Sequence, residues 1–158
     1  MVEIAVFHHV MGVTDGVTAL ADELAAAGHL VHVPDLFEGH RFDSIDEGMA
    51  HVESVGFSTI LERGAASVAD LPGELVYVGV SLGVLPAQHL AMTRAGALGA
   101  VLLEACAPPG ELGGDWPSAV PVQIHGMADD PNFAGEGDVD HARALVDSLG
   151  GSGAELFV

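Results

Sequence analysis

The sequence predicts an α/β domain, a mostly parallel sheet covered by helices on both faces. Two observations predict it. Short runs rich in Val, Ile and Leu alternate with longer stretches of helical periodicity, the pattern of buried parallel strands joined by crossover helices. One of those strands, ending at Val80, runs directly into a helical segment through a serine set between glycines. The whole chain, 1–158, reads as a single domain, since no repeat, low-complexity tract or linker divides its 158 residues.

Taken in order, Glu3 to His8 is the first strand, with Ile4-Ala5-Val6-Phe7 as an unbroken apolar run. A helix is expected from Gly16 to Ala27, ended by Gly28. A second strand, His29 to Val33, is stopped by Pro34-Asp35. Residues 35–56 have no clear period and are read as irregular. Phe57 to Ala69 follows as a helix, Glu74 to Val80 as the third strand, and Leu82 to Arg94 as a helix ended by Gly96. Gly99 to Glu104 is the fourth strand, and Ala107 to Pro117, rich in Gly and Pro, is a surface loop. Val120 to His125 is the fifth strand, His141 to Leu149 a helix, and Ala154 to Val158 the sixth strand.

The formal charge is −19, with four arginines and no lysine, so the basic footprint that holds phosphate backbones is missing and nucleic acid is not an expected partner. The acidity is read as a solvated surface rather than as steering of a cationic substrate. No apolar run reaches the ~18 residues of a membrane span, and Met1-Val2-Glu3-Ile4 lacks the basic start of a secretory leader. A cytoplasmic protein without membrane association is expected; the composition leaves homo-oligomers open. A single cysteine, Cys106, excludes an internal disulfide and a multi-cysteine metal site, and reads as a small buried apolar group. The nine histidines show no H-E-x-x-H spacing, so no metal is expected.

The chemistry is expected at Gly79-Val80-Ser81-Leu82-Gly83. A nucleophile on a sharp strand-to-helix turn needs small residues two before and two after it, because its backbone is strained and strand and helix approach closely there. Gly79 and Gly83 provide them, which makes Ser81 the candidate nucleophile. A tetrahedral oxyanion needs two backbone donors. Leu82 follows the serine and is one; Val10, in the loop after the first strand, is the other. His9 of the same loop and Arg41 of the irregular segment are candidate substrate-pocket residues, Arg41 as a partner for a substrate carboxylate. The carboxylate that orients a catalytic histidine normally follows a later strand, and Asp129 after Val122–His125 fills that role, with adjacent Asp130 as its alternative.

Together the His8-His9-Val10-Met11-Gly12 opening, Val33-Pro34-Asp35-Leu36-Phe37, the Ser81 turn and His125-Gly126-Met127-Ala128-Asp129 resemble the dienelactone hydrolase family over nearly the whole chain. The resemblance implies an α/β-hydrolase fold without a lid domain. It also implies cofactor-free hydrolysis of small carboxylic esters or lactones through a nucleophile-His-Asp triad, with Asp129 completing the His-Gly-x-x-Asp spacing. The family's name-giving enzymes carry cysteine at the turn and glutamate in the oxyanion loop, where this chain has Ser81 and His9, so dienelactone itself is not the expected substrate. The resemblance also sets the catalytic histidine in a loop after the last strand, ahead of a final helix. In this numbering it falls beyond residue 158, and the histidine loop and last helix are expected to be absent from the chain.

Other readings have less support in the residues. His9 or His125 could stand in as base, but histidines at strand ends usually serve local bonds. A catalytically silent binding module on the same fold is the alternative function. A nucleotide binder would need a phosphate-cradling glycine loop after the first strand, and His8 to Val13 has one glycine.

Overall fold

A computed structural model describes residues 1–158. Its strands are β1 (Glu3–Phe7), β2 (Leu30–His32), β3 (Leu75–Val80), β4 (Gly99–Leu103), β5 (Val122–His125) and β6 (Ala154–Phe157). Its α-helices are α1 (Asp15–Ala26), α2 (Ile45–Val55), α3 (Phe57–Ser67), α4 (Val84–Thr93) and α5 (Asp138–Ser148). The strands form one sheet in the order β2-β1-β3-β4-β5-β6, every neighbouring pair parallel.

Side chains alternate across the sheet, and the two faces are unequal. Ala5, Phe7, Leu75, Tyr77, Leu102 and Ile124 face one way and pack with Val52 of α2, Ile60 of α3, Leu90 of α4 and Leu145 of α5 in the main core. Ile4, Val6 and Val78 face the other way and meet Val17 of α1 in a much smaller cluster. Helix α1 lies over the β2–β1–β3 half of that second face. Over β4 to β6 the same face keeps Val101 and Leu103 half-buried and leaves Gln123, Glu155 and Phe157 exposed. The expected two-sided cover is therefore complete on one face and partial on the other.

Helix α2 falls inside the segment read as irregular. Glu47 N–H donates to Ser44 Oγ at 3.2 Å, and Glu47 Oε2 accepts from Asp43 N–H at 3.3 Å. Ser44 thus caps the helix, while Glu47 reaches one residue beyond the reciprocal bond of a capping box, although Ser44-Ile45-Asp46-Glu47 has that box's sequence spacing. The helix escapes a periodicity test because Gly48 interrupts its apolar face. A glycine is required there, since a Cβ would run into the Val10 carbonyl. At the end of α3, Arg94 gathers the carbonyls of Val68 at 2.7 Å, Leu71 at 2.6 Å and Pro72 at 2.7 Å, a cation at a helix C-terminus. Helix α5 starts at Asp138, three residues before its expected start at His141.

Candidate active site

From β1 the chain crosses to β2 on one side, whereas from β3 it crosses to β4 on the other, so the loops leaving β1 and β3 diverge. In open parallel sheets, that divergence at the carboxyl ends of the strands makes the ligand crevice. Ser81 stands there. It follows β3 with φ of +51°, in the left-handed region that a residue with a Cβ adopts at a cost of about 1–3 kcal/mol. A short 3-10 turn, Ser81–Gly83, then leads into α4. A Cβ on Gly83 would collide with the Phe7 carbonyl, and one on Gly79 with the Gly83 carbonyl. Close approach of strand, turn and helix is what the two glycines permit.

Ser81 and Leu82 line a cavity of about 740 Å³ whose wall also includes His9, Val10 and Met11 from the loop after β1. The Val10 N–H donates to no group in the chain. Two histidines shape this loop. Buried His8 accepts from Leu36 N–H at Nε2, 2.9 Å, and its Nδ1 lies 2.7 Å from the His9 carbonyl, to which it donates. Burial lowers its pKa, against the smaller opposing effects of the His9 carbonyl and Asp35. His9 accepts from Met11 N–H at Nδ1, 3.2 Å, so its Nε2 carries the hydrogen facing Thr14 Oγ1 at 3.3 Å. Burial lowers its pKa too. His9 reaches the cavity as expected, but both ring nitrogens are occupied by its own loop.

Asp129 and Asp130 are separated by the turn that Asp130 N–H closes on the Met127 carbonyl at 3.1 Å. Asp129 is exposed and stands outside the cavity wall, whereas Asp130 is half-buried and lines it. Facing Asp130 is Glu104, which follows β4 with φ of +61° and also lines the cavity. Glu104 Oε2 accepts from Met127 N–H at 3.2 Å. Burial raises the Glu104 carboxyl above the usual range, the Met127 bond lowers it and the Asp130 carboxyl adds to the rise.

A third group comes from α5. Asp138 Oδ2 accepts from Cys106 N–H at 3.2 Å, and His141 Nδ1 lies 3.2 Å from the Cys106 carbonyl. Burial raises the Asp138 carboxyl, with the Cys106 N–H and His141 working against it. Burial, with Asp138 adding, pushes the Cys106 thiol up to about 12, which makes it a buried thiol and no nucleophile. Asp138 and His141 line the same cavity as Ser81.

Two expected positions lie elsewhere. Arg41 is held by Asp15 at 3.1 Å on the exposed surface and does not line the cavity, to which α2 contributes Ile45, Asp46 and Met49. His125 stacks on Phe157 with ring centroids 4.6 Å apart, on the partly covered face of the sheet. Sequence reasoning missed Glu104, Asp138 and His141. Only the left-handed backbone at Glu104 and the loops' convergence mark them, and neither leaves a motif.

No protein-family model matches the chain, and no curated protein matches it. Solved structures do. A structure described as a dienelactone hydrolase from Klebsiella pneumoniae superposes with a TM-score of 0.69 at 18% identity, covering 99% of this chain and 72% of that one. The chain has the α/β-hydrolase fold. A dienelactone hydrolase-like promiscuous phosphotriesterase from metagenomic libraries gives a TM-score of 0.72 at 15% identity, covering 100% of this chain and 70% of that one. A structure from Xanthomonas campestris described as a hydrolase of the α/β superfamily gives 0.61 at 22% identity, covering 100% and 86%. No helix is long and apolar enough to cross a membrane.

Proposed function

We propose that this chain is the greater part of a cytoplasmic serine hydrolase of small carboxylic esters or lactones. The observation that carries the reading is Ser81 held at φ of +51° in the wall of a cavity of about 740 Å³ that Val10, its N–H unengaged, also lines. In this reading Ser81 Oγ attacks the acyl carbon as a base takes its proton, and the oxyanion forms against the Leu82 and Val10 amides. Collapse expels the alcohol, which receives that proton, and water then releases the acid from the acyl-serine by the same steps. Asp130 is the acid that orients the base, because it lines the cavity where Asp129 does not.

We assign the base to a histidine that follows residue 158. His141 is the second reading, supported by its position in the cavity wall and by a Nδ1 directed at the Cys106 carbonyl, which leaves Nε2 free to accept a proton. Labelling by a fluorophosphonate, lost in Ser81→Ala, tests the nucleophile; unchanged labelling refutes it. Hydrolysis of p-nitrophenyl acetate by residues 1–158, by its His141→Gln variant and by the chain extended at its C-terminus distinguishes the bases. A nearly silent short chain and an active long one support the first reading. Robust turnover by the short chain, lost in His141→Gln, supports the second. If the extended chain is the one that turns over, Asp130→Asn should cost ~10²-fold or more in kcat and Asp129→Asn little. The reverse ranking moves the acid back by one residue.

A further inference from the structure

The cavity wall holds six carboxyl groups and no arginine or lysine: Asp46, Glu104, Glu111, Asp130, Glu136 and Asp138. They arrive from four separate segments, so the charge of this wall is set by the fold and not by one acidic run. The four arginines are all engaged elsewhere. Arg41 pairs with Asp15, Arg63 with Glu38 and the Leu36 carbonyl, Arg94 with the carbonyls after α3, and Arg143 with Asp140. Phe57, an exposed ring at the start of α3, is the aromatic member of the wall. Carboxylates around a concave apolar surface focus a negative potential, and an aromatic face adds attraction for an alkylammonium group.

We propose that this cavity selects esters bearing a cationic, quaternary-ammonium-type group over neutral ones, and rejects esters bearing a free carboxylate. The proposal rests on the reading of Ser81 as the nucleophile of this cavity. It assigns to the acidity inside the crevice a role that surface solvation does not cover, since a charge that faces bound substrate acts on substrate choice. One carboxylate against one ammonium at cavity distances suffices for a tenfold preference, and the repulsion of an anion adds to it.

The test compares three p-nitrophenyl esters of similar size: the acetate, the hemisuccinate and the trimethylglycine ester. At low ionic strength kcat/KM for the cationic ester should exceed that for the anionic one by at least about tenfold, and the ratio should shrink in molar salt. Glu111→Gln combined with Glu136→Gln, both at exposed positions of the wall, should narrow the ratio whatever it does to acetate turnover. A hemisuccinate cleaved as well as the cationic ester at low salt overturns the proposal. Binding is read separately by titrating residues 1–158 with tetramethylammonium or succinate while following the His9 and His141 imidazole resonances. Saturable shifts with tetramethylammonium and none with succinate are expected. The opposite pattern, or no shift with tetramethylammonium, overturns the charge selection. Cation binding with no cleavage of any ester, by the chain extended at its C-terminus as well as by residues 1–158, would instead leave the charge selection standing and remove the hydrolase reading.

Discussion

Ser81 is a residue whose conformation opposes its own side chain. The left-handed backbone turns its hydroxyl out of the strand, and the strain is held by Gly79 and Gly83, which let Phe7 and α4 close on the turn. Ser81→Gly should therefore leave stability unchanged or raise it by about 1 kcal/mol, measured by urea unfolding, since glycine adopts this φ freely. A clear loss of stability would mean that the turn is not strained. His8 shows how protonation couples to the same crevice. Its neutral ring accepts from Leu36 N–H, and burial lowers its pKa below the ordinary histidine value. As pH falls from about 6.5 the unfolded chain takes up the proton first, so stability falls through that window. In His8→Phe the fall between pH 7 and pH 5 should be smaller. Stability at pH 7 should drop by about 1–3 kcal/mol, because Leu36 N–H loses its acceptor. Equal pH slopes in the two proteins would remove His8 from the effect. At this scale the strained turn at Ser81 was readable because strain demands glycines at fixed offsets. That Asp130 and not Asp129 lines the cavity was not, because one residue of turn decides which side chain meets it.

Among the elements, strands were readable nearly to the residue, since apolar runs bounded by Gly and Pro leave little freedom. Helix α2 was missed although Ser44 caps it, because a glycine in mid-helix argues against a helix until the neighbour that requires it is known. That neighbour is the loop after β1. Gly48 sits on the Val10 carbonyl, so α2 presses on the very residue proposed as an oxyanion donor, while Ile45 and Met49 of the same helix line the cavity. Gly48→Ala should cost about 1–3 kcal/mol, as overpacking does, although alanine is the better helix former. Ester turnover should fall more than the fraction of folded protein, because the displaced atom belongs to the oxyanion loop. A stabilised Gly48→Ala variant with full activity would show that the helix can move away without consequence.

For the whole molecule the sequence foretold the sheet, its parallel pairing and helices on both faces; on one face that cover differs along the sheet and is partial over β4 to β6. That difference arises because strand composition reports how apolar a residue is, not which helix lies over it. Val101, Leu103 and Phe157 are left with incomplete cover on a protein of net charge −19. Self-repulsion keeps such surfaces apart at low salt, and screening lengths fall to about 3 Å in 1 M salt. Raising NaCl from 0.05 to 1 M should therefore increase self-association, seen by light scattering, and Phe157→Glu should reduce it. Association that weakens with salt would assign it to ion pairs instead.

The sheet is parallel at every pairing, with Glu3 set against Leu75 and no hairpin anywhere. Each pairing must wait for a crossover to close a long loop, which makes such chains slow to fold and rich in contacts distant along the chain. The left-handed turn at Ser81 is held by Phe7, more than seventy positions away. A nascent chain that has made β3 and α4 but has not yet docked β1 therefore lacks the Phe7 carbonyl that closes on Gly83, one of the two contacts that hold the turn. If Ser81 is the nucleophile proposed above, its reactivity is expected only once β1 has joined the sheet.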